Sequence, residues 1–315
     1  MEIKFFQVEK VDEGLRLDRW FYRNIPSMPF TVVTKLIRKG QVRVDGKRVK
    51  ISSRINFNQK IRTPVIEFEK QQAKLMPRNF DSIKEKILKS VIFEDEYLIA
   101  LNKPYGLCVQ GGTKIKISID SIFKLANIEA KIVHRIDKET TGILLLAKNA
   151  YIAAEISKLI RGRKITKTYL TILCGVPNKT KGIIESIIKK GEAELLKEQY
   201  ACTKFQILAK YKRMLSLVGM IPLTGRKHQI RIHCKEIGCP ILGDSKYRYS
   251  NGNGTTHKQN RLHLHAYSLD FKLFGKEYNL KAELPSHFLD TIKRYSEIEK
   301  FSYSASLLSY TNHQK

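Results

Sequence analysis

Residues 142–147 form an unbroken apolar run, Gly142-Ile-Leu-Leu-Leu-Ala147, closed by Lys148. A run that short and that continuous predicts a strand covered on both faces. The chain around it must therefore supply layers above and below a sheet. Just ahead of the run, His134, Arg135 and Asp137 fall in a polar turn. Polar residues at the end of a buried strand sit on a rigid edge where a cleft can open. The blander reading makes Asp137 a cap for the local backbone of a charged turn.

The charge balance narrows the partners. In 315 residues, 58 Lys and Arg face 30 Asp and Glu, for a net charge of +28. Self-repulsion on that scale favours a polyanionic partner, and nucleic acid fits better than a membrane surface. No run of 18 apolar residues occurs, and MEIKFFQVEK lacks the apolar core of a signal peptide. The five cysteines are odd in number and form no CxxC, which predicts reduced thiols in a cytoplasmic protein. His228, His233, Cys234 and Cys239 match no standard ligand spacing, so no metal is expected. With no GxGxxG and no GxxxxGK[ST], no nucleotide cofactor is expected either.

The first 66 residues read as a separate small unit. Leu17, Trp20 and Phe21 are spaced for a short amphipathic helix, broken by Pro26 and Pro29. A second helix is predicted over Thr31–Lys39, with Gly40 ending it. Residues 41–44 and 47–49 alternate around Asp45-Gly46, a favoured hairpin turn. Residues 1–60 hold 14 Lys and Arg against 6 Asp and Glu, a net +8. Lys35, Arg38, Lys39, Arg43, Lys47 and Arg48 fall on the second helix and the hairpin, a clustering that suits contact with phosphates. Residues 67–89 turn polar and read as a linker to a larger unit over 90–290, with 291–315 as a C-terminal helix and tail.

Within the larger unit, Ser90–Gly106 reads as strand, turn, strand and a Pro/Gly break. Asn149 is placed to cap a helix reaching Leu159. Residues 166–173 alternate as a strand carrying Tyr169, which on its own is most simply a packed ring with its hydroxyl tied off. Thr224-Gly225-Arg226 is a turn, and residues 228–233 alternate as though in a strand. An arginine in that segment is costly to bury unpaired, which makes Arg231 a partner-seeking residue.

Several stretches also carry a resemblance. HRIDKETTGILLLAKN resembles the signature HRLDxxTSGLLLxAK of the RluA/RluC-type RNA pseudouridine synthases, with conservative departures such as Ile136 for Leu and Thr141 for Ser. KTYL is similar to the Lys-x-Tyr motif of that family, and TGRKHQIRIH to its TGRTHQIRVH. LDRWFYRN and KLIRKGQVRVDGKRVK resemble the αL RNA-binding module of many RNA-modifying enzymes, with Pro29-Phe30 where Ser-Arg often stands.

The resemblance implies an α+β fold: a mixed, mainly antiparallel catalytic sheet with flanking helices, preceded by a small αL RNA-binding domain. It implies isomerisation of uridine to pseudouridine, with Asp137 catalytic, Tyr169 stacking on the target base and Arg231 paired with the aspartate. It makes Arg135 the residue that takes the flipped nucleotide's place. His134 and Arg226 join the RNA-contact candidates. By analogy the substrate is large-subunit ribosomal RNA, bound by a monomer without a cofactor; transfer RNA is the rival substrate. A non-catalytic RNA-binding protein would need none of Asp137, Tyr169 and Arg231 together. Whether the carboxylate attacks ribose C1′, attacks uracil C6 or assists a glycal route stays open.

Overall fold

In the computed structural model the chain divides into two units, Met1–Asn79 and Phe80–Lys315. The structure describes residues 2–25, 28, 30–65, 80–112, 117–190, 197–248 and 261–295.

The first unit runs β1 (Ile3–Gln7), α1 (Leu17–Asn24), α2 (Phe30–Arg38), β2 (Arg43–Val44), β3 (Lys47–Arg48) and β4 (Lys60–Pro64). Its strands form one sheet in the order β1-β4-β2-β3. The apolar stripes of α1 and α2 meet there: Leu17, Trp20 and Phe21 pack with Val33, Leu36 and Ile37 over Val42, Val44, Ile55 and Ile61. Helix α2 stops because Gly40 takes φ +70, while the Gly40 and Gln41 N–H groups donate back to the Ile37 and Leu36 carbonyls. The hairpin turns at Asp45 and Gly46, both with positive φ, as the Asp-Gly pair predicts.

The second unit begins earlier than the polar composition suggests. Residues 67–79 of the expected linker lie outside the described residues, as does residue 66, but Phe80–Leu88 is a helix, α3, that buries Phe80 and Ile87 in the main core. It is followed by β5 (Val91–Glu94), β6 (Leu98–Lys103), α4 (Ile119–Leu125), β7 (Lys131–Ile132), β8 (Thr141–Ala147) and α5 (Ala150–Arg161). Then come β9 (Thr166–Cys174), β10 (Lys181–Lys190), β11 (Lys197–Tyr211), β12 (Leu215–Pro222), α6 (Gln229–Glu236), β13 (Leu264–Leu273), β14 (Lys276–Lys281) and α7 (Ser286–Arg294). Helix α7 ends at Arg294, and residues 249–260 and 296–315 lie outside the described residues.

Among the described residues one mixed sheet runs β10-β11-β12-β9-β13-β8-β6-β5, with β14 beside β13 and β7 beside β8. Only the β13–β8 pairing is parallel. Strand β8 is buried along its whole length. Ile143, Leu145 and Ala147 face one core cluster, Leu144 and Leu146 the other. Asn149 caps α5, its side chain accepting from the Ile152 N–H at 2.9 Å.

Strand β8 also sets the position of the loop before it. β6 pairs with β8 over its full length on one side. The other side is shared: β7 pairs at Leu146 and Ala147, β13 at Thr141 and Gly142. The segment from 133 to 140 leaves β7 and re-enters the sheet where β13 takes over. Gly142 makes that hand-over possible. Its φ is +102, and a Cβ there would stand 2.2 Å from the Ala266 carbonyl oxygen.

The segment expected as a strand at 228–233 is instead the start of helix α6. The apparent alternation covers only six residues, whereas the buried set is Gln229, Ile230, Arg231, His233 and Cys234, a helical face. Gly238 (φ +77) stops the helix, with the Gly238 and Cys239 N–H groups donating to the Lys235 and Cys234 carbonyls.

Candidate active site

Asp137 sits on the loop that the sheet leaves between β7 and β8. Its own carbonyl accepts from the Thr140 N–H at 3.1 Å, which closes a turn. Its side chain is 31 % exposed, and among the described residues no donor lies within hydrogen-bond distance of the carboxylate. Two groups flank it just beyond that range: Arg231 Nη1 is 4.0 Å from Oδ2, and His228 Nε2 is 3.8 Å from Oδ1. A carboxylate beside a guanidinium with its lone pairs unspent is equipped to attack or to take a proton.

Arg231 has firmer partners than the aspartate expected for it. Its Nε and Nη2 donate to the two oxygens of Asp244, both at 2.7 Å. Nη2 also lies 3.0 Å from Glu139. The Asp244 side chain is fully buried and that of Arg231 only 3 % exposed. Burial of that depth demands a bidentate partner, and a carboxylate 4.0 Å away cannot be that partner. Asp244 meets it, and its carboxyl is held below the usual range by Arg231 and by the Tyr247 and Lys246 N–H groups, against the opposing effect of burial. Arg231 is left charged and oriented, with one edge turned to Asp137.

A second clamp works from below. Lys103, at the end of β6, has no exposed surface. Its ammonium donates to the carbonyls of Pro104, Leu107 and Lys138 at 2.9, 3.0 and 3.1 Å. The Gly106 N–H donates to that same Lys138 carbonyl. The loop after β6 is thereby tied to the residue after Asp137. Burial brings the Lys103 pKa down to about 7, opposed by Cys108 and Asp137.

Tyr169 lies on β9 across from β13, packed between two core clusters and half-buried. Burial, and then the nearby Asp137 charge, push its phenol well above the usual value. The phenol is thus kept protonated in the field of the carboxylate. Arg135 is exposed at the lip of the same loop. His134 turns into the sheet, where its Nε2 accepts from the Leu145 N–H at 2.9 Å. Burial, reinforced by Lys167, lowers its pKa to about 3 and keeps it neutral. Arg226 is half-buried and donates through Nε to the Tyr200 carbonyl at 2.9 Å.

The structure thus brings Asp137 and Arg231 together, with Tyr169 near enough to feel the aspartate's charge. Glu139, Asp244, His228 and Tyr247 complete the site without having been singled out as site residues from sequence. The GDSKY segment offered a signal for two of them: an acidic residue followed by an aromatic after an apolar stretch.

In the first unit, Lys35, Arg38, Lys39, Lys47 and Arg48 are exposed. Among the described residues none of them forms an ion pair, while Asp12 and Asp18 pair with Arg23 and Arg16. Arg43 is half-buried and donates to the Gly46 carbonyl at 3.0 Å. Strand register places Phe5, Arg62, Arg43 and Arg48 on one rung of the sheet. Like charges side by side on a rung repel, so this face favours a polyanion.

Comparison with known proteins points one way. A family model described as RNA pseudouridylate synthase matches residues 97–236. The ribosomal large subunit pseudouridine synthase C of Rickettsia felis is 37 % identical over 300 residues, covering 87 % of this chain and 95 % of its own. The protein of the same name from Vibrio vulnificus is 29 % identical, covering 89 % and 92 %. Among solved structures, human RNA pseudouridylate synthase domain containing 4 superposes with a TM-score of 0.60 at 28 % identity, over 69 % of this chain and 97 % of that one.

Proposed function

The chain belongs to the RNA pseudouridylate synthase family, and we propose that it isomerises uridines of large-subunit ribosomal RNA, with Asp137 as the reacting carboxylate. The relatives from Rickettsia and Vibrio carry that substrate in their names and match this chain almost end to end, which supports the choice. In the reaction the N1–C1′ bond of uridine breaks, a C5–C1′ bond forms, the C5 proton leaves and N1 gains one. Nothing is oxidised or reduced. Addition to C1′, addition to C6 and a glycal route all require an unprotonated carboxylate with a free oxygen beside the nucleotide.

The observation that carries the reading is the Asp137 carboxylate itself, bonded by no described side chain yet fixed in place by its neighbours. Arg231 supplies positive charge from a guanidinium that Asp244 prevents from swinging away. Tyr169 gives the displaced uracil a face to rest on, which recovers part of the cost of unstacking it. With its pKa raised, Tyr169 stays protonated and acts as platform and hydrogen-bond donor. Arg135 fills the gap left in the RNA stack. His134 and Arg226 border this surface, each already committed to a backbone group, so they shape the RNA path more than they grip it.

The first unit holds the RNA through Lys35, Arg38, Lys39, Arg43, Lys47 and Arg48, whose charges few local carboxylates offset. The enzyme works as a cytoplasmic monomer, where its cysteines stay reduced; those of the described residues are unpaired. Among the described residues no helix is long and apolar enough to cross a membrane.

Mapping pseudouridines by carbodiimide-based primer extension in cells lacking the chain tests the substrate. Specific sites should vanish from large-subunit ribosomal RNA and return when the gene is restored. Loss confined to transfer RNA would overturn the assignment.

A further inference from the structure

We propose that His228 is a positioning residue for Asp137, its imidazole anchored through one nitrogen to the Tyr247 hydroxyl and presenting the other to the carboxylate. The proposal rests on the reading of Asp137 as the reacting group.

His228 directly precedes α6 and adopts φ 57°, ψ 21°, left-handed backbone that disfavours any residue with a Cβ. A side chain at this position ordinarily caps the helix, and the His228 ring makes no such bond. Capping therefore does not explain why a histidine occupies a strained position. The ring points elsewhere. Nδ1 lies 2.8 Å from the Tyr247 hydroxyl, Nε2 lies 3.8 Å from Asp137 Oδ1, and the side chain is 15 % exposed.

The groups that flank the ring assign the tautomer. With a carboxylate facing Nε2, the ring proton belongs there, and Nδ1 is left to accept from the Tyr247 O–H. Burial raises the Tyr247 pKa and so keeps the phenol a donor. Around the ring stand Asp137, Arg231, Lys246 and Lys227; burial lowers its pKa, Asp137 opposes, and the three cations add to burial. A neutral imidazole thus offers one N–H without bringing a second full charge to the carboxylate.

Tyr247 is itself secured by the carboxylate that fixes Arg231. Its backbone N–H donates to Asp244 Oδ1 at 3.0 Å, and the Arg231 guanidinium lies over its ring at 5.3 Å. Asp244 therefore anchors two arms that reach opposite oxygens of Asp137: Arg231 toward Oδ2, and Tyr247 with His228 toward Oδ1. Flanked on both sides but hydrogen-bonded on neither, the carboxylate is aimed without being spent. A small misalignment of a reacting group is costly in rate, so loss of one arm should lower turnover more than binding.

The test compares His228→Phe, His228→Gln and Tyr247→Phe in the full chain by tritium release from C5-labelled uridine in RNA. His228→Phe should lower kcat roughly 10- to 100-fold with KM and melting temperature unchanged. The amide of His228→Gln can still donate from the same side and should restore most of the rate, and Tyr247→Phe should fall between. Wild-type kcat in His228→Phe, or equal losses in the Phe and Gln variants, would overturn the proposal. If His228→Phe melts early, Tyr247→Phe decides, because it removes a single oxygen: an unchanged kcat there refutes the positioning role. An Asp137→Asn control separates the two readings. Activity in that variant removes the nucleophile and this proposal together, whereas an inactive Asp137→Asn beside a fully active His228→Phe removes only the proposal.

Discussion

In the first unit Lys35, Arg38, Lys39, Lys47 and Arg48 are exposed and form no ion pair among the described residues, whereas in the second Arg231 is buried among Asp244, Glu139 and Asp137. On the proposed function, the contrast divides the labour of one basic chain. Exposed lysines and arginines lend little to folding but remain free to replace counterions on a phosphate backbone. A buried guanidinium cannot do that. Its bonds are already made, and what it contributes is a fixed field at one point. Histidine is divided in the same way: residues 1–79 contain none, while His233, His263 and His265 are buried in the second unit.

That division should show most strongly in acid. Burial lowers the pKa values of His233, His263 and His265 to about 4, from 6.5 in the unfolded chain. Below pH 6.5 the unfolded state takes up protons first, so their stabilisation is complete above that pH and is lost as pH falls toward 4. At pH 5 the loss should be on the order of 2 kcal/mol for each histidine. Trp20, the single tryptophan, reports the first unit through its fluorescence, and hydrogen exchange in β8 reports the second. The β8 amides should lose protection between pH 6.5 and 4 while Trp20 stays buried. Simultaneous loss would break the comparison.

Next in size is Arg231→Met. It leaves the Asp244 carboxylate buried without its guanidinium, which should cost about 3–5 kcal/mol. Lys35→Met, on the exposed helix, should change stability by less than about 0.5 kcal/mol. Urea unfolding followed by hydrogen exchange in each unit would distinguish them, and similar losses would count against the contrast. Glycines give a finer version. Gly142→Ala should cost about 3 kcal/mol or more, because the new Cβ meets the Ala266 backbone in addition to a strained φ. Gly14, with φ +75 and open space where a Cβ would stand, should cost about 1 kcal/mol on the same change. Smallest is an effect on binding alone. Replacing Lys35, Arg38 and Arg43 with Gln should flatten the salt dependence of RNA binding by about 0.7 log units per lost single-strand contact. An unchanged slope would mean that these side chains do not face phosphate.

What could be read from the sequence was local. Strand β8, the Asn149 cap, Gly40 after α2 and the Asp45-Gly46 turn each carry their signal within a few residues. Helix α6 is hidden because His228, Ile230 and Ile232 imitate a strand over six positions, and the signal for a helix, Gly238, lies beyond the motif. The Arg231–Asp244 pair was out of reach for another reason. Its members are 13 residues apart, on a helix and in the turn that follows, and only the fold makes them neighbours. The same holds for Lys103, whose acceptors are carbonyls that any residue would supply.

The central claim is that Asp137 reacts while the surrounding charges only hold it. Single-turnover tritium release by Asp137→Asn, measured beside its affinity for the same RNA, tests it most directly. Release should fall to background with affinity preserved, since the substitution removes one negative charge and almost no volume. Release at a substantial fraction of the wild-type rate would contradict the account.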